Sequence, residues 1–195
     1  MHGLINRTIQ CFAQDTYGEA TWLNTTEAAG LGFTEFEAML SYDDSVSYTV
    51  LAALSGVVGM PQEAILEDLG TYLVSHKNSE KVRRLLRFGG DNFHEFLHSL
   101  DDLPGRTRLA VEDLVLPKIE VREHAVDRFS LTVDGQGRGF GAVLMGVLRA
   151  MADDYGALVF LEHLPNQNGA ETIEIQVIET AFAAGRGFDL GARAG

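Results

Sequence analysis

The chain has 195 residues, of which 46% are hydrophobic, and its formal net charge at pH 7 is −13. That length and that hydrophobic content are enough to bury one sizeable core without disulfides or metals. The negative charge would repel phosphate backbones and anionic lipid headgroups, so the composition argues against nucleic-acid binding and against a membrane-surface role.

The other whole-chain features predict a soluble, cytoplasmic protein. Cys11 is the single cysteine and has no second cysteine with which to form an intramolecular disulfide. The N-terminus lacks the basic region and the continuous apolar run of a secretory signal. No segment approaches the roughly 18 to 20 uninterrupted apolar residues that a membrane-spanning helix needs.

Hydrophobic periodicity predicts helices in the first two thirds of the chain and a mixture of strands and helices in the last third. The predicted helices cover about 3–17, 20–29 and 44–58, a stretch that begins at Pro61, and about 79–88, 92–103 and 140–154. The predicted strands cover about 119–122, 129–133, 157–164 and 172–178, and Asn168-Gly169 is a strong hairpin signal between the last two. This order of elements predicts an α+β fold.

Residues 94–98 raise the first functional question, because His94-Glu95-Phe96-Leu97-His98 satisfies H-E-x-x-H. In that pattern two imidazoles one helical turn apart bind zinc and the glutamate activates a water. On a helix, the apolar residues of this region share one side, and they are Phe93, Phe96, Leu97, Leu100 and Leu103. Both histidines lie on the opposite side, and the glycine and third-histidine positions of the extended motif hold Asp101 and Pro104. A surface helix is therefore the preferred interpretation, and a zinc hydrolase is a remote alternative.

Several short motifs, each weak alone, occur together and in order along the chain. They are Met1–Asn6, Tyr17-Gly18, Ala29-Gly30, Tyr42-Asp43-Asp44, Met60-Pro61, Gly90-Asp91-Asn92-Phe93, Leu100-Asp101-Asp102-Leu103 and Leu116-Pro117-Lys118-Ile119. In this order and spacing they resemble the heme nitric oxide/oxygen binding (H-NOX) family, from residue 1 to about 178. The resemblance implies a helical subdomain joined to an antiparallel sheet subdomain, with heme between them. We therefore expect one domain over 1–180, with a helical part over 1–60, helices plus a four-stranded sheet over 61–180, and a flexible Gly- and Ala-rich tail over 181–195.

The resemblance also implies a heme ligand that this chain lacks. In the family, a histidine directly after the Leu-Asp-x-Leu stretch binds the heme iron, and neutral imidazole is the usual proximal ligand of gas-responsive heme. Here the residue in that place is Pro104, and proline has no ligating group. The motifs on both sides, at 100–103 and 117–119, fix this alignment.

A second family signature, Tyr-x-Ser-x-Arg, clamps the heme propionates, and its three positions become Asp134, Gln136 and Arg138. Of these three side chains, only the arginine is the family's residue, and its guanidinium can pair with a carboxylate. A carboxylate at Asp134 would oppose a propionate by on the order of 1 to 4 kcal/mol at intermediate dielectric. Ile5 and Pro117 match family residues that press on the heme plane and pack beneath it, but plain roles, in a core for Ile5 and at a strand entry for Pro117, are the preferred interpretation.

Three functional hypotheses follow from these residues. The favoured one is a non-enzymatic sensory or interaction domain of the H-NOX fold that has lost standard heme ligation, so that heme is implied by resemblance but no cofactor is the best expectation. It would bind another small apolar ligand or act through protein contacts. The resemblance suggests a signalling partner such as a histidine kinase or a cyclic-nucleotide enzyme. The second hypothesis is a heme-based nitric oxide or oxygen sensor with an unusual axial ligand, and the third is the zinc hydrolase.

Overall fold

A computed structural model describes residues 1–134, 138–167 and 169–188 of the chain. The chain divides into two compact units, Met1–Ile65 and Leu66–Gly195. The first unit begins with helices α1 (Gly3–Tyr17), α2 (Glu19–Ala28) and α3 (Asp44–Val58). These bounds confirm the three predicted helices. Gly18, with φ of 91°, separates α1 from α2 at a backbone angle that glycine adopts without steric cost.

Polar side chains fix the segment between α2 and α3 against the first two helices. The indole N–H of the fully buried Trp22 donates to the Thr34 carbonyl at 2.7 Å. The side-chain oxygen of the buried Gln10 accepts from the Phe36 N–H at 2.9 Å. The Phe36 ring also packs against Trp22, at a centroid distance of 6.3 Å. Because these groups pair internally, they are buried without losing their hydrogen bonds.

The helices that follow are α4 (Gln62–Ser75), α5 (Glu80–Arg87), α6 (Phe93–His98), α7 (Leu103–Ala110) and α8 (Phe140–Tyr155). The prediction of one helix over about 92–103 is wrong in detail, because α6 ends at His98 and a 3-10 turn, Ser99–Asp102, precedes α7. Pro104 explains the break. In a continuous α-helix its ring would clash with the Leu100 carbonyl four residues earlier, and a tighter turn avoids this contact.

The second unit contains a four-stranded antiparallel sheet in the order β1-β2-β4-β3. Its strands are β1 (Ile119–Ala125), β2 (Arg128–Val133), β3 (Leu158–Gln167) and β4 (Ala170–Glu179). They confirm the four predicted strands and, with the helices, the predicted α+β fold. Gln167 pairs with Ala170, as a two-residue hairpin requires, and Gly169 has φ of 85°. Asn168, the other residue of the predicted turn, lies outside the described residues.

One hydrophobic core joins the sheet to the helices of the second unit. The apolar stripe predicted at 93–103 is confirmed, since its five side chains are at most 6% exposed. It packs with the buried faces of α8 and of the sheet, whose contributors include Leu148, Met151, Phe129, Leu131 and Ile175. Burial of large apolar side chains of this kind contributes about 1.5 to 3 kcal/mol each.

A buried ion pair links α5 to the end of α8 and to the segment that follows the sheet. Arg83 donates to both carboxylate oxygens of Asp154, at 3.0 and 3.2 Å, and to the Gly187 carbonyl at 3.1 Å. The guanidinium carbon of Arg87 lies 4.0 Å from the centre of the Tyr155 ring and 5.1 Å from that of Phe188.

The segment from 183 to 188 is held by backbone contacts as well. The Ala183 N–H donates to the Gly156 carbonyl at 3.0 Å, and the Arg186 N–H donates to the backbone carbonyl of Asp154 at 2.8 Å. The expectation of a loosely ordered tail did not anticipate these contacts. Residues 189–195 lie outside the described part of the chain.

Among the described residues, no single helix is both long and apolar enough to cross a membrane. α3 and α4 reach the necessary length and hydropathy only as a pair, across a bend of 101°.

Candidate functional site

Pro104, the residue in the place of a proximal ligand, lies in the first turn of α7 and is half-buried. Proline is favoured in a first turn, where its missing N–H has no intrahelical acceptor and its fixed φ suits the helix. Leu103 and Thr107 are buried on the same helix, and the Thr107 hydroxyl donates to the Leu103 carbonyl at 2.7 Å. The backbone at residue 104 is therefore helical, while its side chain has no group that binds a metal.

Arg106 anchors α7 to the preceding elements. Its guanidinium donates to the Ser99 carbonyl at 2.8 Å, to the Ser99 hydroxyl at 3.2 Å and to the Leu85 carbonyl at 3.3 Å. Burial lowers the pKa of Arg106, while the nearby charges of Asp102 and Tyr155 act to raise it. A partly desolvated arginine thus holds α7 against the residues that precede it.

The glutamate of the H-E-x-x-H sequence caps its own helix. Asn92 is the N-cap of α6, and its side-chain oxygen accepts from the Glu95 N–H at 3.0 Å. In return, the Glu95 carboxylate accepts from the Asp91 N–H at 2.8 Å and from the Asn92 side-chain amide at 2.9 Å. This reciprocal arrangement is closely similar to a capping box, which satisfies N–H groups at a helix start. Glu95 therefore has a structural role that the zinc interpretation did not consider.

The two histidines of that sequence contact the hairpin formed by β1 and β2. Their rings approach Phe129 edge-on, with centroid distances of 5.5 Å for His94 and 5.6 Å for His98. His94 Nε2 lies 3.0 Å from the Val126 carbonyl, and His98 Nε2 lies 3.2 Å from a Glu123 carboxylate oxygen. Within the described ranges, no three or more His, Cys, Asp or Glu side chains are grouped so that they could hold a metal ion.

The residues predicted to contact heme fall in both units. Ile5 is half-buried on α1 in the first unit. Pro117 is half-buried in the segment that leads into β1, in the second unit. The Asp134 N–H donates to the Lys118 carbonyl at 3.0 Å, so Asp134 lies beside the segment that contains Pro117.

The structure describes two of the three positions of the predicted propionate clamp. Asp134 directly follows β2 and is exposed, and Arg138, two residues before α8, is also exposed. Gln136 lies outside the described residues. The two described side chains face solvent, which suits charged groups that are not built into a core.

A carboxylate that the sequence interpretation missed binds the start of α8. Glu171, on β4, is 8% exposed, and its two oxygens accept from the Gly139 N–H at 2.9 Å and from the Gly141 N–H at 2.8 Å. His163 Nε2 lies 3.5 Å from the same carboxylate. The first N–H groups of a helix lack intrahelical acceptors and favour negative charge. The start of α8 is therefore already bonded to an anion of the protein itself.

The signal for Glu171 was present in the strand pattern. Ile173, Ile175 and Val177 alternate on the buried face of β4, and Glu171 is the next residue in the same period of two. A carboxylate on a buried strand face requires hydrogen-bond donors. The predicted strand began at Thr172 and so left this residue out.

Comparison with known proteins agrees with this architecture. A family model described as HNOB, Haem-NO-binding, matches residues 2–163. The chain belongs to the Haem-NO-binding family.

Relatives of this Haem-NO-binding chain include guanylate cyclases. It is 24% identical over 154 residues to soluble guanylate cyclase gcy-31 of Caenorhabditis elegans, covering 79% of this chain and 22% of that protein. It is 21% identical over 158 residues to soluble guanylate cyclase 89Db of Drosophila melanogaster, covering 81% of this chain and 24% of that protein. The chain thus spans about a quarter or less of the length of these two relatives.

Solved H-NOX structures share the fold of this Haem-NO-binding chain. An H-NOX protein from S. oneidensis in the Fe(II) ligation state superposes with a TM-score of 0.78 at 16% identity, covering 92% of this chain and 97% of that one. A mutant H-NOX from T. tengcongensis superposes with a TM-score of 0.76 at 15% identity, covering 93% of this chain and 100% of that one. These matches confirm the H-NOX fold that the resemblance implied.

The family name implies heme, and the residues at the positions that the resemblance assigns to its ligand and clamp lack the family's ligating and propionate-binding groups. α7 contains Leu, Pro, Gly, Arg, Thr and Ala, and none of these side chains is an axial ligand of protein-bound heme. Asp134 adds a negative charge at a position aligned with the propionate clamp, and Glu171 occupies the N–H groups of the helix that follows. At the assigned positions, both the axial ligand and the clamp thus depart from the family's pattern.

Proposed function

We propose that this chain is a sensory or signalling domain of the Haem-NO-binding family that does not hold heme iron through the family's proximal position. The observation that carries the proposal is Pro104 in the first turn of α7. Residues 103–110, which the resemblance assigns to the family's ligand helix, are helical, and this supports a change of side chain over a loss of the element.

Contacts of α7 and of α8 support the same proposal. Arg106 holds α7 to the residues before it through backbone carbonyls and the Ser99 hydroxyl. Glu171 supplies the start of α8 with an anion. Each of these contacts is of a kind that stabilises the domain without a bound cofactor.

The partner in this proposal is a signalling enzyme. The curated relatives are guanylate cyclases, and a cyclic-nucleotide enzyme or a histidine kinase is the kind of effector that the family resemblance suggests. The domain itself would contribute no catalytic group. A change in its conformation, caused by an apolar ligand or by the partner, would be the signal.

Heme retention and absorbance test the proposal. The full chain is purified from cells supplied with heme, passed through a desalting column, and its absorbance is compared with its protein concentration. We expect far less than one heme per chain and no sharp Soret band that shifts on addition of nitric oxide. A stoichiometric Soret band with such a shift would overturn the proposal and support a sensor with a non-standard axial ligand.

Pro104→Ala is the matched control for this measurement. It removes the proline ring and adds no ligand. If the chain lacks heme because position 104 offers no axial ligand, this variant also stays without heme.

A further inference from the structure

The outer face of the sheet is the face opposite the one that packs on α8. Its β1–β2 half and its β3–β4 half differ in whether their charged side chains have partners. On the β1–β2 half, the Arg122 guanidinium pairs with Glu120 at 2.7 Å, and His124 Nε2 lies 2.7 Å from the Ser130 hydroxyl. These polar groups have partners within the face itself. This half is an ordinary solvent-facing surface.

The β3–β4 half carries a like-charge pair instead. Glu162 and Glu174 lie directly opposite each other in the register, and both are exposed. Directly opposed like charges on one face of an antiparallel pair destabilise the sheet. In the described part of the chain, neither carboxylate forms an ion pair with a basic side chain within 4.0 Å. Arg128, on the neighbouring strand, lies opposite Gln176 and diagonal to Glu174, and its guanidinium is not within 4.0 Å of that carboxylate.

Two large apolar side chains accompany the pair. Phe160 is 58% exposed and lies opposite Gln176, and Ile178 is 55% exposed two residues farther along β4. Because side chains alternate between faces, Phe160 and Ile178 share the outer face with the two glutamates. Diagonal neighbours on a sheet are within reach of an aromatic ring, so the two apolar side chains form one island.

We infer that this half of the sheet, the Glu162–Glu174 face, binds a basic amphipathic helix of a partner protein. Arginine or lysine side chains of the helix would neutralise the opposed carboxylates, and neighbouring apolar side chains would cover Phe160 and Ile178. Residues three or four apart on a helix are about 5 to 6 Å apart, which matches the separation of about 4.5 to 5.5 Å between cross-strand neighbours. The net charge of −13 would speed the approach of a basic partner.

A second copy of this chain does not fit this face. Two such faces would bring four carboxylates together, and the whole chains would repel each other. An opposed pair of like charges destabilises a single molecule. Such a pair is expected at a binding site, where a partner supplies the opposite charge. The inference does not depend on heme, since it concerns the sheet face opposite the one that packs on α8.

The test uses a synthetic peptide as the probe. The peptide has about 18 residues, long enough to be helical, and carries arginine and leucine on one face. Isotope-labelled full-length chain is titrated with it and followed by NMR. We expect saturable shift changes centred on Phe160, Glu162, Glu174 and Ile178. A peptide with glutamate in place of arginine should not bind.

Two pairs of variants separate this face from the general negative charge. Glu162→Gln with Glu174→Gln should weaken binding about fivefold, as expected for two exposed ion pairs. The matched control, Glu112→Gln with Asp113→Asn, removes the same charge from an exposed segment elsewhere and should weaken binding less than about twofold. Phe160→Ala should also weaken binding, whereas Leu109→Ala, at a site that is 90% exposed, should not.

Three results would overturn the inference. One is shift changes that centre on another surface. Another is an equal loss of affinity in the control variants. The third is the absence of saturable binding up to about 1 mM peptide, the limit of weak specific association. None of these results would bear on heme retention, so the proposed function stands or falls separately.

Discussion

Arg83 and Asp154 are joined by two hydrogen bonds although their side chains are only 5% and 2% exposed. The pair connects α5 with the last turn of α8, and Arg87 Nε lies 3.6 Å from the same carboxylate. Coulombic attraction and hydrogen bonding to Asp154 raise the pKa of Arg83 against the opposing effect of burial. Asp154 is thus the buried counter-ion of two guanidinium groups, and Arg83 also pairs with the more exposed Glu80 at 3.2 Å.

We expect Asp154→Asn to lower the free energy of unfolding by about 3 to 5 kcal/mol, because it removes the buried carboxylate that both guanidinium groups contact and leaves only the more exposed Glu80 as a counter-ion. Urea denaturation measures the change. The control is Arg149→Met, which removes the more exposed ion pair with Glu67 and should cost about 0 to 1 kcal/mol. Equal effects of the two substitutions would show that the buried pair contributes no more than a surface pair.

Gly141→Ala should destabilise the start of α8. A Cβ there would lie 2.2 Å from a Glu171 carboxylate oxygen and 2.8 Å from His163 Nε2, so the carboxylate would have to move. Overpacking of this kind costs about 1 to 3 kcal/mol. Gly105→Ala is the control, because a Cβ in that helix meets nothing within 4 Å. It should stabilise the chain by about 0.4 to 1 kcal/mol. Thermal unfolding of both variants checks the opposite signs.

Glu95→Ala should cost about 1 kcal/mol, since it removes an acceptor from the N-terminus of α6. Chemical denaturation with and without added zinc measures this effect. His98→Ala, which alters an exposed ring on the same helix, should change stability little. If instead zinc stabilised the wild-type chain and both substitutions removed that effect, the H-E-x-x-H sequence would be a metal site.

Pro104→His alone should not give tight heme binding. The new imidazole would supply a ligand, but the Asp134 carboxylate would still repel a propionate. The hydroxyl donors that the family has at positions 134 and 136 would still be missing. Adding Asp134→Tyr and Gln136→Ser should raise heme retention above that of the single variant, as measured by absorbance after desalting. Near-stoichiometric uptake by the single variant would mean that the clamp matters less than the ligand.

Stability should fall between about pH 10 and pH 12 because of Tyr155. Burial is the main cause that raises the pKa of its phenol to about 12, from 10.0, and Asp154 adds to the increase while Arg87 opposes it. Below pH 10 the phenol is protonated in both states, and its contribution to stability is fully present. As pH rises through 12 the folded state must also ionise it, and that contribution is lost. Tyr155→Phe should flatten this part of the stability–pH curve, at the cost of the hydrogen bond to Gly90.

Periodicity was sufficient for most of the secondary structure. The helix from Gly3 to Tyr17 and that from Asp44 to Val58 have polar N-caps and glycine ends, and β4 alternates between buried and more exposed positions. The α+β fold followed from the order of these elements. The wrong prediction of one continuous helix near residue 100 has a local cause. Apolar spacing alone takes no account of a proline, which disfavours an α-helical turn directly before it.

The candidate site was less predictable because part of it depends on contacts that are distant in sequence. The alignment of Pro104 needed only the neighbouring Leu100-Asp101-Asp102-Leu103 motif. The bond between Glu171 and the N–H groups of Gly139 and Gly141 spans about 30 residues and arises only when β4 lies beside the start of α8. Likewise, the second role of Glu95 became evident only with the hydrogen bonds of α6 in place.

The bond from Glu171 to the start of α8 has a consequence for how this domain can vary. Without a Cβ, Gly141 leaves the space that the carboxylate fills, so the two positions are not independent of each other. A larger residue at 141 is acceptable only together with a smaller one at 171, and that change would leave the first N–H groups of α8 without an acceptor. Substitution at either position should therefore be epistatic with the other, and the pair should be inherited as one unit.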